Sequence, residues 1–304
     1  METSSLNRRR IIRKQSQSPV ALNSRIPIIL TIIGEIFLMA ASPLPAADNW
    51  GPLDIRVQTT GFGAASTEDI KLLLQSTGLE LWRQCPRTHL DGIDIYHRID
   101  HPQTNFQRTP DGRIAIGLAA QDTHWAQYSF QFAHEFCHAL ANFSNDTGAL
   151  KRYPSRANYW LEESLCETAS LFTLRAMSRS WQTNPPVSVW RDYAWSLNDY
   201  AAQRIALPEH RLPAGKNFLE WFHEHQPAMR KNSAVWDWNT IVAIKLLPVF
   251  EAEPRGWEAV TFLNVGSQSP NESLTDHLAE WRSRCPPDLR PIVNRIAAVF
   301  GIAL

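Results

Sequence analysis

The sequence predicts an α+β fold with a small mixed sheet and a mainly helical C-terminal half. Three observations predict it. Short segments of alternating polarity occur only before residue 120. Two long helical patterns follow, Gln121–Phe143 and Trp160–Met177. After Pro185-Pro186 the remaining apolar periodicity is helical and comes in short stretches.

The elements follow in order. Asp48 to Thr60 is extended, with Ile55 and Val57 alternating against polar neighbours. A helix begins at Ser66 or Thr67, where a hydroxyl residue precedes Glu68 and Asp69. Ile70, Leu73, Leu74 and Leu81 then recur at helical spacing, and the helix stops by Cys85-Pro86. Ile93–Ile99 alternates and reads as a strand. Thr109-Pro110-Asp111-Gly112 is a turn, and Arg113–Ala119 is a second strand. A polar loop containing Asn145-Asp146-Thr147-Gly148 joins the two long helices. Beyond residue 187 a helix over Trp190–Ile205 precedes a loop over Leu207–Lys216. Helices over Asn239–Glu251, Trp257–Leu263, Ser273–Cys285 and Asp288–Phe300 complete the chain.

Residues 1–47 read as a targeting segment. A basic stretch, Arg8–Lys14, precedes an apolar stretch, Ile26–Ala41, and small residues with prolines follow up to Ala46-Ala47. That order is the order of a signal peptide, and it predicts export to the periplasm or the cell exterior. The apolar stretch is short for a membrane span and contains Glu35, so a membrane anchor is the rival reading. Arg8-Arg9-Arg10 also loosely matches a twin-arginine signal. Residues 48–304 then form one domain, with 187–304 as a helical C-terminal subdomain. Six of the 30 basic residues and two of the 30 acidic ones lie in residues 1–47. The remainder carries 24 against 28, a net charge of −4. A mildly acidic domain without a basic run is a poor nucleic-acid binder. The four cysteines (Cys85, Cys137, Cys166, Cys285) suit either disulfides in an exported protein or buried free thiols. Most of the 12 tryptophans belong to the core, and some are suited to a peptide or glycan groove.

The chemistry lies in His134-Glu135-Phe136-Cys137-His138, an H-E-x-x-H motif. One helical turn is 3.6 residues, so both imidazoles face one point and can ligate one metal ion. Glu135 is offset round the helix, beside the position of a metal-bound water, where a carboxylate serves as general base. Phe132, Phe136, Leu140 and Phe143 form the opposite, core-facing side. Two histidines need a third protein ligand. Ala141 and Ser144 stand where the metzincin pattern places Gly and His, which excludes that solution.

Trp160-Leu161-Glu162-Glu163-Ser164-Leu165 resembles the W-L-x-E-G-x-A segment of the gluzincin metallopeptidases, the thermolysin and zinc-aminopeptidase group. The resemblance spans about Arg113 to Met177. It implies a zincin-like fold and one Zn²⁺ per chain held by His134, His138 and Glu163, with Glu163 25 residues past His138. It also implies that Glu167, one turn further on, orients His134 through its outer ring nitrogen. The place of Arg113–Ala119 in that group implies an edge strand beside the metal, with Ile114, Ala115, Ile116 and Gly117 binding the substrate backbone. Relatives supply a downstream Tyr or His to the oxyanion. The candidates are Tyr193, Tyr200, His210, His223 and His225, with His223 or His225 favoured by chain distance. His89, His97, His101, His124 and His277 show no ligand spacing. Several positions depart from the group. Ser164 replaces Gly, Cys166 replaces Ala, Glu162 stands at an Asn position, and the aminopeptidase G-x-M-E-N signature is missing. The expected activity is zinc-dependent hydrolysis of peptides or proteins by an exported enzyme. A catalytically degenerate zincin acting as a surface binding or scaffold module is the alternative.

Overall fold

The computed structural model describes residues 53–144, 157–265 and 269–304. The proposed signal segment and the Asn145–Gly148 loop lie outside the described residues. Residues Ala47–Leu304 form one compact unit. The architecture is α+β with a mixed four-stranded sheet, as the sequence predicts.

The sheet comprises β1 (Ile55–Val57), β2 (Ile93–His97), β3 (Gln103–Asn105) and β4 (Ile114–Leu118), in the order β1-β2-β4-β3. β1, β2 and β4 are parallel, and β3 runs antiparallel to β4. All five residues of β4 are buried, as expected of a strand flanked on both edges. Gly117 is required there, because a Cβ would collide with the Arg98 and Tyr96 side chains. β4 is therefore an interior strand, which corrects the edge role expected for Ile114, Ala115, Ile116 and Gly117. The edge beside them is β3, three residues too short to show any alternation.

Helix α1 (Thr67–Trp82) connects β1 to β2. Ser66 caps it by accepting a hydrogen bond from the Asp69 backbone N–H at 3.0 Å, and Glu68 and Asp69 suit the positive end of the helix dipole. Helix α2 (Trp125–Phe143) starts four residues later than the periodicity predicts. Asp122 takes a left-handed φ of 52°, and its carboxylate accepts from the Ala64 N–H at 2.8 Å, so residues 121–124 form a turn. Helix α3 (Tyr159–Ser180) packs antiparallel along α2, with Ser170 Oγ donating to the Phe130 carbonyl at 2.7 Å.

The C-terminal half comprises α4 (Ala194–Ala206), α5 (Phe218–Met229), α6 (Trp236–Ala252), α7 (Gly256–Val260), α8 (Leu274–Arg284) and α9 (Arg290–Val299). α5 is an addition to the sequence reading. Its capping box, Asn217 with Glu220, is complete, but Pro227 within it and the preceding loop mask the pattern. α3 packs against α1, α2, α4 and α6, so one core runs through both halves. No helix among the described residues is long and apolar enough to cross a membrane. All four cysteines are buried free thiols, which excludes the disulfide alternative in this structure.

An ion cluster ties the segment after α1 to the C-terminal helices. Arg87 donates from its backbone N–H and Nε to Glu258 Oε1 (3.0 and 2.9 Å) and from Nη2 to Oε2 (2.7 Å). It also reaches both Asp288 oxygens, which Arg255 shares. The Glu258 side chain is 0 % exposed, so removing Arg87 strands a buried carboxylate with only the longer Arg255 contact at 3.4 Å. Arg87→Ala is expected to cost about 3 kcal/mol, read as a lower urea midpoint. An unchanged midpoint would show that Glu258 needs no such partner.

Candidate metal centre

α2 and α3 bury two imidazoles and three α3 carboxylates between them, beside Glu135, Cys137 and Cys166. α2 supplies His134 and His138, whose ring centroids lie 5.1 Å apart. Phe132 and Phe136 on its far side stack in the core and fix the helix rotation. α3 supplies Glu162, Glu163 and Glu167. All five are buried.

The rings are held by their Nδ1 atoms. His138 Nδ1 lies 2.8 Å from Glu162 Oε1, and His134 Nδ1 lies 3.7 Å from Glu167 Oε2. A carboxylate can only accept, so Glu162 fixes a proton on His138 Nδ1 and turns Nε2 inward, while Glu167 faces the outer side of the His134 ring beyond hydrogen-bond range. Both Nε2 atoms converge on Glu163 Oε2, at 3.3 Å from His134 and 3.7 Å from His138. Those separations exceed a charge-assisted hydrogen bond of about 2.7–2.9 Å. The shorter one equals the spacing of two ligands of a tetrahedral ion, about 3.3 Å for metal–ligand bonds of about 2.0–2.1 Å, and the other is longer. Glu163 Oε2 is buried and has no hydrogen-bond partner.

Burial alone would lower the His134 pKa, but Glu163 and Glu167 outweigh it and hold the imidazole at about 10. His138 is likewise held well above its ordinary value against burial, chiefly by Glu163 and Glu162. Burial would raise the Glu163 carboxyl, yet the two imidazoles keep it far below the usual range. Without an ion the carboxylates therefore keep both imidazoles protonated, and a bound cation would take the place of the Nε2 protons.

Cys166 is a second neighbour of the histidines. One donor atom each from His134, His138 and Cys166 lie within 4.8 Å of one another, so the buried cluster can hold a metal ion through the thiol. The two settings differ. Cys166 is fully buried, and burial, then the Cys137 thiol, pushes its pKa well up. Glu163 instead lines an open cavity of about 160 Å³, together with His134, His138, Glu135, Thr104 and Tyr159.

Glu135 stands between that cavity and a larger one of about 480 Å³, which Gln127, Phe130, Tyr200, Arg204 and Trp236 help to line. Thr104 on β3 has its hydroxyl 2.8 Å from Glu135 Oε2 and 2.8 Å from the Glu135 carbonyl. Trp236 is 54 % exposed at the mouth, 6.1 Å between ring centroids from His134. Tyr159 stacks on His138 at 6.0 Å.

Of the downstream candidates, Tyr200 lines the larger cavity. His223 is exposed on α5 and lines neither cavity, which corrects its catalytic placement. His225 Nδ1 faces the Trp221 carbonyl at 2.7 Å, and the Tyr193 hydroxyl accepts from the Ala126 N–H at 3.2 Å. Sequence reasoning missed Glu162 as the partner of His138. Asn142, one turn beyond His138, was the available signal: its Nδ2 donates to Glu162 Oε1 at 2.7 Å. Asn264 Nδ2 completes the network on Glu162 Oε2 at 2.8 Å. His101, which shows no ligand spacing in the sequence, and Thr104, which the sequence does not single out, also belong to the cleft.

The chain matches no protein-family model, no curated protein and no solved structure. The geometry alone carries the reading. Glu162→Gln is expected to weaken divalent-metal binding about 10–100-fold, because a neutral amide holds the His138 tautomer less firmly. Calorimetric titration with Co²⁺ and Zn²⁺ measures this, and wild-type affinity in the variant would remove Glu162 from the site.

Proposed function

We propose that this chain is an exported zinc-dependent peptide hydrolase with a zincin-like catalytic core. One observation carries the proposal: two imidazole Nε2 atoms, at 3.3 and 3.7 Å, face a buried carboxylate oxygen that has no hydrogen bond. His134, His138 and Glu163 are the ligands in this reading. A buried oxygen without a partner is costly unless a cation completes it, and Glu163, unlike Cys166, opens on a cavity that admits substrate. The basic-then-apolar order of residues 1–47 supports export.

A zinc ion supplies Lewis acidity there, bringing the pKa of water to about 7 and polarising the scissile carbonyl. The residues of the chain do the rest. Glu162 and Glu167 hold the two imidazoles with Nε2 presented. Thr104 holds Glu135 at Oε2, leaving Oε1 to take the proton of the attacking water and return it to the leaving amine. Tyr159 and His101 line the smaller cavity and carry donors suited to the carbonyl oxygen, in place of His223. The free edge of β3, with Gln103 in the cavity wall, suits an extended peptide backbone.

Glu135→Gln is expected to retain one zinc per chain and lose at least about 100-fold in kcat on a mixed peptide library. Wild-type turnover in that variant would refute the mechanism. Zinc retention by a wild-type chain that cleaves no peptide would instead assign a binding module. Thr104→Val is expected to lower kcat about 3–10-fold without changing zinc content, with Thr104→Ser restoring it. Equal rates in all three would leave Thr104 a packing residue.

A further inference from the structure

Arg204 is the one guanidinium lining the larger cavity among the described residues, and its bonding is incomplete. It projects from the last turn of α4, and Cζ lies 4.7 Å over the Phe130 ring. Among the described residues its side chain makes one hydrogen bond, a long one from Nη2 to Glu167 Oε1 at 3.5 Å. Nε is buried with no partner at all. Glu167 is also committed elsewhere, accepting from the Thr240 hydroxyl at 2.9 Å and facing His134. A third of the Arg204 side chain is exposed, toward the cavity.

The residue is nevertheless firmly placed. The buried His210 Nδ1 lies 2.6 Å from the Arg204 carbonyl, and its Nε2 lies 3.5 Å from Asp237 Oδ1 on α6. His210 thereby ties the end of α4 to the start of α6, which carries Trp236 at the cleft mouth. A partly desolvated guanidinium on an aromatic wall, fixed in position and short of acceptors, is a receptor for a planar anion. Phe130, Tyr200 and Trp236 give the walls apolar surface for the carbon chain bearing it.

We infer that the larger cavity selects substrates carrying a carboxylate next to the scissile bond, with Arg204 as the specificity-determining residue. The carboxylate comes from an acidic side chain or from the peptide C-terminus. This assignment rests on the hydrolase reading for its chemistry, but binding tests it independently.

The zinc-loaded full chain is offered matched peptides carrying Glu, Gln or Leu at one position, each with a free or an amidated C-terminus. Cleavage gives kcat/KM, and calorimetry on the Glu135→Gln protein gives dissociation constants. The carboxylate peptide is expected to be favoured at least about tenfold over its Gln or amide counterpart. The Glu and free-terminus arms separate the two sources. Arg204→Met should bring that ratio to near one, and Arg204→Lys should keep part of it. A preference for Leu at every position, or a ratio unchanged in Arg204→Met, overturns the inference. Cleavage without carboxylate preference leaves the hydrolase standing and removes this assignment. Arg204-dependent carboxylate binding without cleavage does the reverse. Should the Met variant fail to fold, Arg204→Gln decides: a folded Gln variant that loses the preference supports the inference, and one that keeps the wild-type ratio overturns it.

Discussion

Three carboxylates and two imidazoles share one helix–helix interface, and each carboxylate taken from water must be compensated. Burying a charge costs several kcal/mol unless partners restore what solvent supplied. Glu162 has His138, Asn142 and Asn264. Glu167 has His134, Thr240 and Arg204. Three of those partners, Arg204, Thr240 and Asn264, come from α4, α6 and the segment after α7, so the C-terminal half is not an appendage to the site. It supplies the donors that let α3 keep its acids inside. Glu163 Oε2 alone is left to the two imidazoles, and the proposed ion would stand there.

The same constraint explains what the sequence discloses. The H-E-x-x-H spacing and the Glu163–Glu167 repeat are local, and a helical turn converts them directly into faces. Ser66 with its acids, and the apolar spacing of α1, are local in the same way. The strand order is not local. Nothing in Arg113–Ala119 says that Gln103–Asn105 will cover its edge, and three residues carry no period. α5 was hidden by Pro227, although its capping box stood in plain view at Asn217 and Glu220. His223 was chosen by chain distance, which says little in a half built from six short helices. Glu162 receives no role from the sequence, because its partners, Asn142 and Asn264, lie 20 and 102 residues away.

The cleft has an unequal division of parts. On the proposed reading its catalytic wall is made by consecutive elements, β3 through α3, in the first 180 residues. Its recognition wall is made by Tyr200, Arg204 and Trp236, from α4 and α6. Glu135 sits on the boundary, with Thr104 behind it. Chemistry and selectivity would then rest on different stretches of chain, joined through Glu167, which faces His134 on one side and Arg204 on the other.

The Arg87–Glu258–Asp288 cluster sets a timetable for folding. Arg87 closes loops of 171 and 201 residues with its two acids, among the longest connections in the molecule. Such contacts return nothing until nearly the whole chain has been made, since loop closure must precede them. A nascent chain that already holds α2 and α3 therefore still lacks the clamp and the donors from α4 and α6. Until those arrive, its acidic helix face has neither its partners nor a closed core around it. A chain of this design gains its native stability late, after its last helices have been synthesised.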